Sequence, residues 1–328
     1  MVQDFNSVYS RIEPSILQLE EKRKKLKAQG CKKGSIAGGI LFLIGIIISV
    51  CAEGGWLGAT IAFIIALLVV FSYINAQSAE LSAYYKKNII SVLLTSLCKD
   101  IQYLPESGIS RTTFSATGLF AATPDRYRSE DRISGQLDKT TFDCAEVIAE
   151  EKRVTTDSKG RRSEHWVDIF RGFLFMADFH KNFNGQTIVF RNSWFKLHSG
   201  GRRVKLENPD FEKNFDVYST DQVEARYILT PVMMEKLLAL DRKFPGKITV
   251  SFFNSQVIIA IPDSCNHFEA GIWRTMKNQT IEKEFHTLAA LIGIIDDLNL
   301  NLRIWSKKKK KTGNVRKYNQ QHENTPVS

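Results

Sequence analysis

The sequence has few cysteines and lacks the cysteine and histidine spacings that are typical of metal sites. Its five cysteines are odd in number, widely separated and form no C-x-x-C pair, which argues against a disulfide framework and against a zinc site. Its six histidines form no H-x-x-x-H or H-x-x-E pattern and accompany no recognisable nucleophile motif. We therefore predict a chain from a reducing compartment, with no metal ion, no cofactor and no identifiable catalytic residue.

Charge is absent from two long apolar runs, 35–52 and 56–74, which are separated only by Glu53, Gly54 and Gly55. Because an α-helix rises about 1.5 Å per residue, each run spans roughly 27 to 29 Å and matches a hydrocarbon core of about 30 Å. We predict a transmembrane hairpin with helices over 35–52 and 56–74. Two alternatives are a cleaved signal peptide, which the 34-residue leader and the second run disfavour, and a buried hairpin of a soluble protein, which would usually carry polar residues on one face.

Positive charge flanks the hairpin and is missing from its connecting loop. Seven Lys/Arg residues lie between Lys22 and Lys33, and Lys86 and Lys87 follow the second run. The positive-inside rule then places both termini in the cytoplasm. We therefore predict a multi-pass protein that is located in the cell inner membrane.

The net charge of +10 is a property of the chain ends. Between Asn88 and Ser306, 28 Lys/Arg residues balance 28 Asp/Glu residues. A neutral domain makes nucleic acid an unlikely partner, whereas lysines beside a membrane attract anionic lipid headgroups. The predicted headgroup contacts are Lys24, Lys25, Lys32, Lys33, Lys307, Lys308 and Lys309.

Segment 1–34 has apolar residues at three- and four-residue steps from Phe5 to Leu19 and a lysine-rich final third. This pattern predicts an amphipathic helix. The helix either lies on the membrane surface or packs on the body of the protein, and the sequence does not distinguish these roles.

Small residues recur at four-residue spacing in the hairpin, as in Gly34 with Gly38 and Ala62 with Ala66. Such spacing lets helix backbones approach closely. We expect these residues to pack the hairpin onto itself, and a dedicated oligomerisation face is the alternative. Neither span contains an ionisable residue, so we predict an anchor with no ion path.

We predict that residues 75–306 form an α+β domain and that residues 307–328 form a basic disordered tail. Helical periodicity continues from the second span to about residue 104 and then gives way, over 108–135, to a long irregular segment with mixed charges. Alternating residues predict antiparallel hairpins over 140–179 and 247–261, and Asn184-Gly185 predicts a further tight hairpin turn. Helices are predicted to start at Thr230-Pro231 and Thr280, and a short strand or extended run is predicted over 298–304. The fold class is thus a two-helix transmembrane hairpin followed by a cytoplasmic antiparallel sheet covered by helices.

The densest motif runs from Phe215 to Pro231. Asp221-x-x-Glu224 resembles a capping box, and Arg226 is placed to pair with Asp221, Glu207 or Asp216. We predict a charged junction that locks two helices onto the sheet. The alternative is a binding pocket, whose residues would be Asp221, Glu224, Arg226 and Tyr227.

With this motif the sequence resembles DUF3137, a family of bacterial membrane proteins of unknown function. The resemblance also takes in Ser115–Phe120, Phe170–Phe175, Asp178–Phe183 and Leu298–Trp305. It implies a membrane anchor ahead of the domain and a membrane-protein partner of the LemA type, and it implies no activity. We expect a membrane-anchored binding or scaffold protein that recognises a protein partner or lipid headgroups. The alternative is a membrane-associated enzyme that uses acidic residues near Asp221 and Glu224.

Overall fold

The computed structural model describes residues 5–51, 55–156, 160–191, 201–244 and 248–301. Two long helices, α1 (Phe5–Cys51) and α2 (Gly55–Ala76), come first, and α3 (Ser78–Tyr85), a π-helical turn (Lys86–Ile90) and α4 (Ser91–Leu97) follow. The remaining elements are β1 (Ile101–Leu104), α5 (Arg111–Ala116), β2 (Arg126–Leu137), β3 (Thr140–Thr156), β4 (Arg162–Asp178), β5 (Thr187–Arg191), β6 (Arg202–Arg203), α6 (Pro209–Asn214), β7 (Phe215–Ser219), α7 (Gln222–Ile228), α8 (Pro231–Lys243), β8 (Thr249–Phe253), β9 (Gln256–Pro262) and α9 (Asn278–Asp297).

In the described residues nine strands form one antiparallel sheet, in the order β1-β2-β3-β4-β9-β8-β5-β7-β6. The predicted α+β class is therefore confirmed, with two long apolar helices ahead of an antiparallel sheet and its helices. Successive strand residues point to opposite faces, so β3 and β4 supply two separate cores. One core lies under α1, α3, α4, α8 and α9, and the other lies under α5 and the segment that follows it.

Helix α1 is continuous from Phe5 to Cys51 and crosses the predicted segment boundary at residue 34 without a break. Its N-terminal part packs on the body of the protein, since Val8 and Ile12 are fully buried. The Phe5 ring lies 5.4 Å from that of Phe285. Of the two roles considered for this amphipathic segment, the structure shows packing on the body of the protein.

The predicted irregular segment over 108–135 is wrong in its second half, where β2 runs from Arg126 to Leu137. Its charged side chains make ion pairs, such as Arg132 Nε to Asp143 Oδ1 on β3 at 2.8 Å. A bulge between Glu130 and Ile133 interrupts the ladder. This bulge hides the alternation that would have marked a strand.

The predicted hairpins over 140–179 and 247–261 are present as β3 with β4 and as β8 with β9. Asn254 and Ser255 both have positive φ, as a two-residue hairpin turn requires. The hairpin predicted at Asn184-Gly185 is wrong, because β4 pairs with β9 whereas β5 pairs with β7 and β8.

The helix predicted from Thr280 is α9, which begins two residues earlier, at Asn278. Its apolar stripe is buried as expected, including Ile281, Leu288 and Ile295. The short strand or extended run predicted over 298–304 is wrong for 298–301, which form turns at the end of the helix. Its remaining residues, and the tail over 307–328, lie outside the described residues.

Candidate functional site

Helices α1 and α2 form a hairpin whose interior is built from small residues. A Cβ added at Gly38 would lie 2.9 Å from the carbonyl oxygen of Ala66, and one at Gly45 would lie 2.4 Å from the Cβ of Ala62. The same close approach occurs at Gly58, against Ser49. These residues therefore serve the packing of the hairpin onto itself.

The large apolar side chains of the hairpin point outward. By length and composition, α1 and the helical stretch from Trp56 to Leu97 are each able to cross a membrane, and only 17% of the most apolar window of each is buried. Ile47 and Leu68 are both 62% exposed. A core helix of a soluble protein buries such residues, so the hairpin presents a large apolar surface to its surroundings.

Four lysines lie on α1 just before the apolar stretch. Lys24, Lys25, Lys32 and Lys33 are all exposed. They are the predicted headgroup contacts on this helix, whereas Lys307, Lys308 and Lys309 lie outside the described residues. We call the four exposed residues the lysine collar.

Trp273 lies against the helical hairpin, on the loop between β9 and α9. Its ring stacks on Phe71 of α2 at 5.6 Å, and its indole N–H donates to Asn75 Oδ1 at 2.8 Å. The ammonium of Lys27 lies 4.9 Å from the ring centre. An amphipathic aromatic beside an apolar hairpin is typical of a membrane–water interface, and here it belongs to the folded domain.

A buried ionic cluster joins this helical base to the sheet. Lys86, in the π-helical turn, pairs with Asp131 at 2.8 Å and with Glu269 at 2.9 Å. Tyr103 donates to Asp131, and Ser82 donates to Glu269. π-Helical turns are frequent at functional sites. Among the ion pairs of the described residues, Lys86 of this turn is the only cation that contacts Asp131 or Glu269.

Burial dominates the acid–base properties of the cluster. It raises the pKa of Asp131 to about 6, although hydrogen bonds from Lys86 and Tyr103 oppose the shift. It also raises the pKa of Glu146 to about 7, against the opposing charge of His267. Burial alone would lower the pKa of Lys86, but its two carboxylate partners raise it. Asp131, and Glu146, whose pKa the nearby charge of Asp131 raises further, therefore titrate closer to neutral pH than ordinary carboxyl groups.

The motif residues Asp221 and Glu224 both bind backbone amides. Asp221 Oδ1 accepts from the N–H groups of Val223 and Glu224 at 2.9 and 3.0 Å, which caps α7. Glu224 does not return the bond as a capping box requires. Instead its two oxygens accept from the N–H groups of Asn184 and Gly185, at 3.1 and 2.9 Å. This bond explains why Asn184-Gly185 forms no hairpin turn.

Arg226 does not form the predicted ion pair with a carboxylate among the described residues. It donates to the carbonyl oxygen of Gln222 at 3.0 Å. Asp216, one of its predicted partners, pairs with Arg203 at 2.8 Å instead. Arg226 instead lines a neighbouring cleft.

That cleft has a volume of about 400 Å³. Its lining is Lys205, Leu206, Glu207, Asn208, Arg226, Leu229, Pro231 and Met234. Neither Asp221 nor Glu224 belongs to it, so the two acidic residues of the enzyme alternative serve the fold in this structure. Tyr227, half exposed, lies under the ammonium of Lys181 at 3.8 Å from the ring centre.

A second cluster of polar side chains was missed by the sequence patterns above. Asp263, Cys265 and His267 follow β9 on alternate residues and come together with their ligand atoms within 4.8 Å of one another. Glu284, on α9, holds the other ring nitrogen of His267. The spacing D-x-C-x-H is the pattern that would have pointed to this cluster, and no helical or C-x-x-C search detects it.

Comparisons with known proteins support the family resemblance. Residues 168–300 match the model of a family described as a protein of unknown function, DUF3137. The match contains the Phe215–Pro231 motif, whereas Ser115–Phe120 and the hairpin lie outside it. No curated protein matches the chain.

Among solved structures, one similar chain is the mycobacterial trehalose monomycolate transport factor A, TtfA. The two are 12% identical, the TM-score is 0.35, and the alignment covers 67% of this chain and 94% of that one. A likeness at this level supports no inference about function.

Proposed function

We propose that this protein is a membrane-anchored binding or scaffold protein, whose neutral domain is held directly against the inner face of the membrane. The supporting observation is the α1–α2 hairpin, which packs through small residues and turns its large apolar side chains outward. Such a surface is stable in lipid and costly in water. The hairpin is the anchor, and the domain is the part that binds.

The proposed orientation places both termini in the cytoplasm, in an inner membrane that the chain crosses twice. Lysines precede the first apolar run and follow the second, and the loop between them has none. This asymmetry follows the positive-inside rule.

We propose anionic lipid headgroups as the ligand of the lysine collar. Its four lysines are exposed on the stretch of α1 that also carries Lys27, whose ammonium lies over the ring of Trp273. A lysine near an anionic surface contributes about 1 kcal/mol of attraction. The collar therefore orients the domain on the membrane and gives it a preference for anionic lipids.

A protein partner is the second part of the proposal. The family resemblance suggests a membrane protein of the LemA type, and the cleft beside Arg226 combines apolar side chains with the charged side chains of Lys205, Glu207 and Arg226. This partner remains a prediction. The enzyme alternative gains no support from Asp221 and Glu224, since backbone amides occupy both.

Native mass spectrometry of the full-length protein in detergent tests the headgroup proposal. The protein is titrated with phosphatidylglycerol and, separately, with phosphatidylcholine. We expect tighter binding of phosphatidylglycerol, and we expect this preference to be lost when the four collar lysines are replaced by glutamine. The matched control replaces four exposed lysines far along the chain from the hairpin: Lys139, Lys152, Lys213 and Lys283.

Equal lipid binding by the collar variant and the control variant would contradict the headgroup proposal. A preference for phosphatidylglycerol that is reduced equally in both variants would also contradict it, because net charge rather than position would then be the cause.

A further inference from the structure

The loop after β9 brings three side chains of different chemistry to one point. Asp263 Oδ2 lies 3.0 Å from His267 Nε2, and the thiol sulfur of Cys265 completes a group whose ligand atoms all lie within 4.8 Å of one another. Carboxylate oxygen, thiolate sulfur and imidazole nitrogen are the three kinds of ligand that zinc takes in proteins.

The histidine of this group is already oriented as a metal ligand would be. Its Nδ1 contacts Glu284 Oε2 at 3.1 Å, which leaves Nε2 directed at Asp263. The ring is 2% exposed and packs against Phe173 at 5.1 Å. Metal-binding histidines almost always donate their second ring N–H to a carboxylate, which fixes the tautomer and the ring plane.

We propose that Asp263, Cys265 and His267 bind a divalent transition metal ion of the zinc class, with Glu284 as the carboxylate that orients His267. The thiol of Cys265 and the Nε2 of His267 release their protons to solvent when the metal binds, and Nδ1 keeps its proton toward Glu284. The proposal is independent of the membrane-anchoring function.

The distances require little rearrangement. Two tetrahedral ligands at about 2.0 to 2.1 Å from zinc lie about 3.3 Å apart, compared with the 3.0 Å between Asp263 Oδ2 and His267 Nε2. A thiolate at about 2.3 Å from zinc lies about 3.6 Å from each of the other two ligands. The sulfur now lies within 4.8 Å of both, so a movement on the order of 1 Å brings it to that distance. Because Cys265 is exposed, its side chain is able to make this movement. Solvent is then able to supply the fourth ligand of the metal ion.

The three ligands include only one buried residue, and this determines the choice of variants. Cys265→Ser removes an exposed thiol and leaves the fold intact, whereas His267 is packed among aromatic rings and its removal would perturb the loop. Cys31→Ser is the matched control, because Cys31 is also exposed but lies on α1.

Cobalt titration of the full-length, chelator-treated protein in detergent tests the site. We expect one Co²⁺ per chain, a near-ultraviolet thiolate-to-cobalt charge-transfer band, and displacement of the cobalt by Zn²⁺. Cys265→Ser should lose the charge-transfer band and bind at least tenfold more weakly, and Cys31→Ser should match the parent protein. Glu284→Gln should keep the band and bind about 10- to 100-fold more weakly.

Two results would overturn the site. One is the absence of saturable cobalt binding by the parent protein. The other is a charge-transfer band that survives in Cys265→Ser, because a different cysteine would then be the ligand.

Discussion

The ammonium of Lys86 and the carboxylate of Asp131 lie 2.8 Å apart in the protein interior, with side-chain exposures of 7% and 0%. Lys86 belongs to the helical stretch that continues from the hairpin, and Asp131 lies at the bulge of β2. The pair thus joins the proposed anchor to the sheet. A buried ion pair of this kind fixes one arrangement of the two elements, because Asp131 without Lys86 would be a buried charge with no cation beside it.

Replacement of Lys86 by methionine should destabilise the protein. Asp131 would lose its cation in the interior, and breaking a buried pair typically costs about 3 to 5 kcal/mol. The measurement is the free energy of unfolding of the full-length protein in detergent, from a urea titration. Lys87→Met is the matched control, because Lys87 is exposed on the next position of the same turn. Equal effects of the two substitutions would contradict the structural role of the pair.

Asp131 should also give the protein a specific pH dependence. Its pKa rises from 3.8 to about 6 on folding because of burial, so the folded state binds the proton more tightly. The stabilisation from this group is therefore complete below the unfolded pKa and is lost as the pH rises through the folded pKa.

The shift corresponds to about 3 kcal/mol. The unfolding free energy of the parent protein, relative to that of Asp131→Asn, should therefore be about 2 kcal/mol more favourable at about pH 4 than at about pH 7, because part of the shift lies below pH 4. Stability curves recorded for both proteins across this range check the sign. If the stability of the parent relative to Asp131→Asn is independent of pH, or increases as the pH rises, the pKa of Asp131 is not raised in the folded protein.

The hydrogen bonds between the Glu224 carboxylate and the backbone amides of Asn184 and Gly185 should contribute measurably to the free energy of unfolding. Glu224→Gln keeps the size but removes the charge, and one of the two N–H groups then faces an amide N–H₂ group. Loss of a buried acceptor costs about 1 to 3 kcal/mol. Hydrogen exchange at residues 184 and 185 should become faster in this variant. Val223→Ala, at a position that is 78% exposed, should leave both quantities unchanged, and equal exchange in the two variants would contradict the assignment.

The packing of the hairpin is testable with two neighbouring glycines. A leucine at Gly38 would collide with the backbone of α2, where an added Cβ lies 2.9 Å from the oxygen of Ala66. Nothing lies within 4 Å of a Cβ added at Gly39. We expect Gly38→Leu to lower the thermal midpoint of the detergent-solubilised protein by several degrees, and Gly39→Leu to leave it within error. A reversed order would mean that the two helices meet on another face.

Long periodic features were predictable from the sequence because each has one dominant cause. The two apolar runs, the β3–β4 and β8–β9 hairpins, and the apolar stripe of α9 all follow from a simple repeat of 3.6 or 2 residues. The Thr230 and Asp221 caps follow from side-chain hydrogen bonding at helix starts, and the structure places both there.

The errors arise where a distant residue decides the local structure. β2 is charged because its side chains pair with neighbours such as Asp143, and its bulge breaks the alternation. Asn184-Gly185 has the composition of a tight turn, but a carboxylate 39 residues away binds its amides. The ionic cluster around Lys86 joins residues from four separate stretches of the chain, so no local pattern could have revealed it.

The central claim is that the apolar hairpin crosses the membrane with the domain on its inner face. Single cysteines at Glu53 and Lys99, each introduced into a variant whose native cysteines are serine, test it in intact cells with a membrane-impermeant maleimide. We predict that Glu53→Cys is labelled in intact cells and that Lys99→Cys is labelled only after permeabilisation. Labelling of Lys99→Cys in intact cells, or extraction of the chain by alkaline carbonate without detergent, would contradict the account.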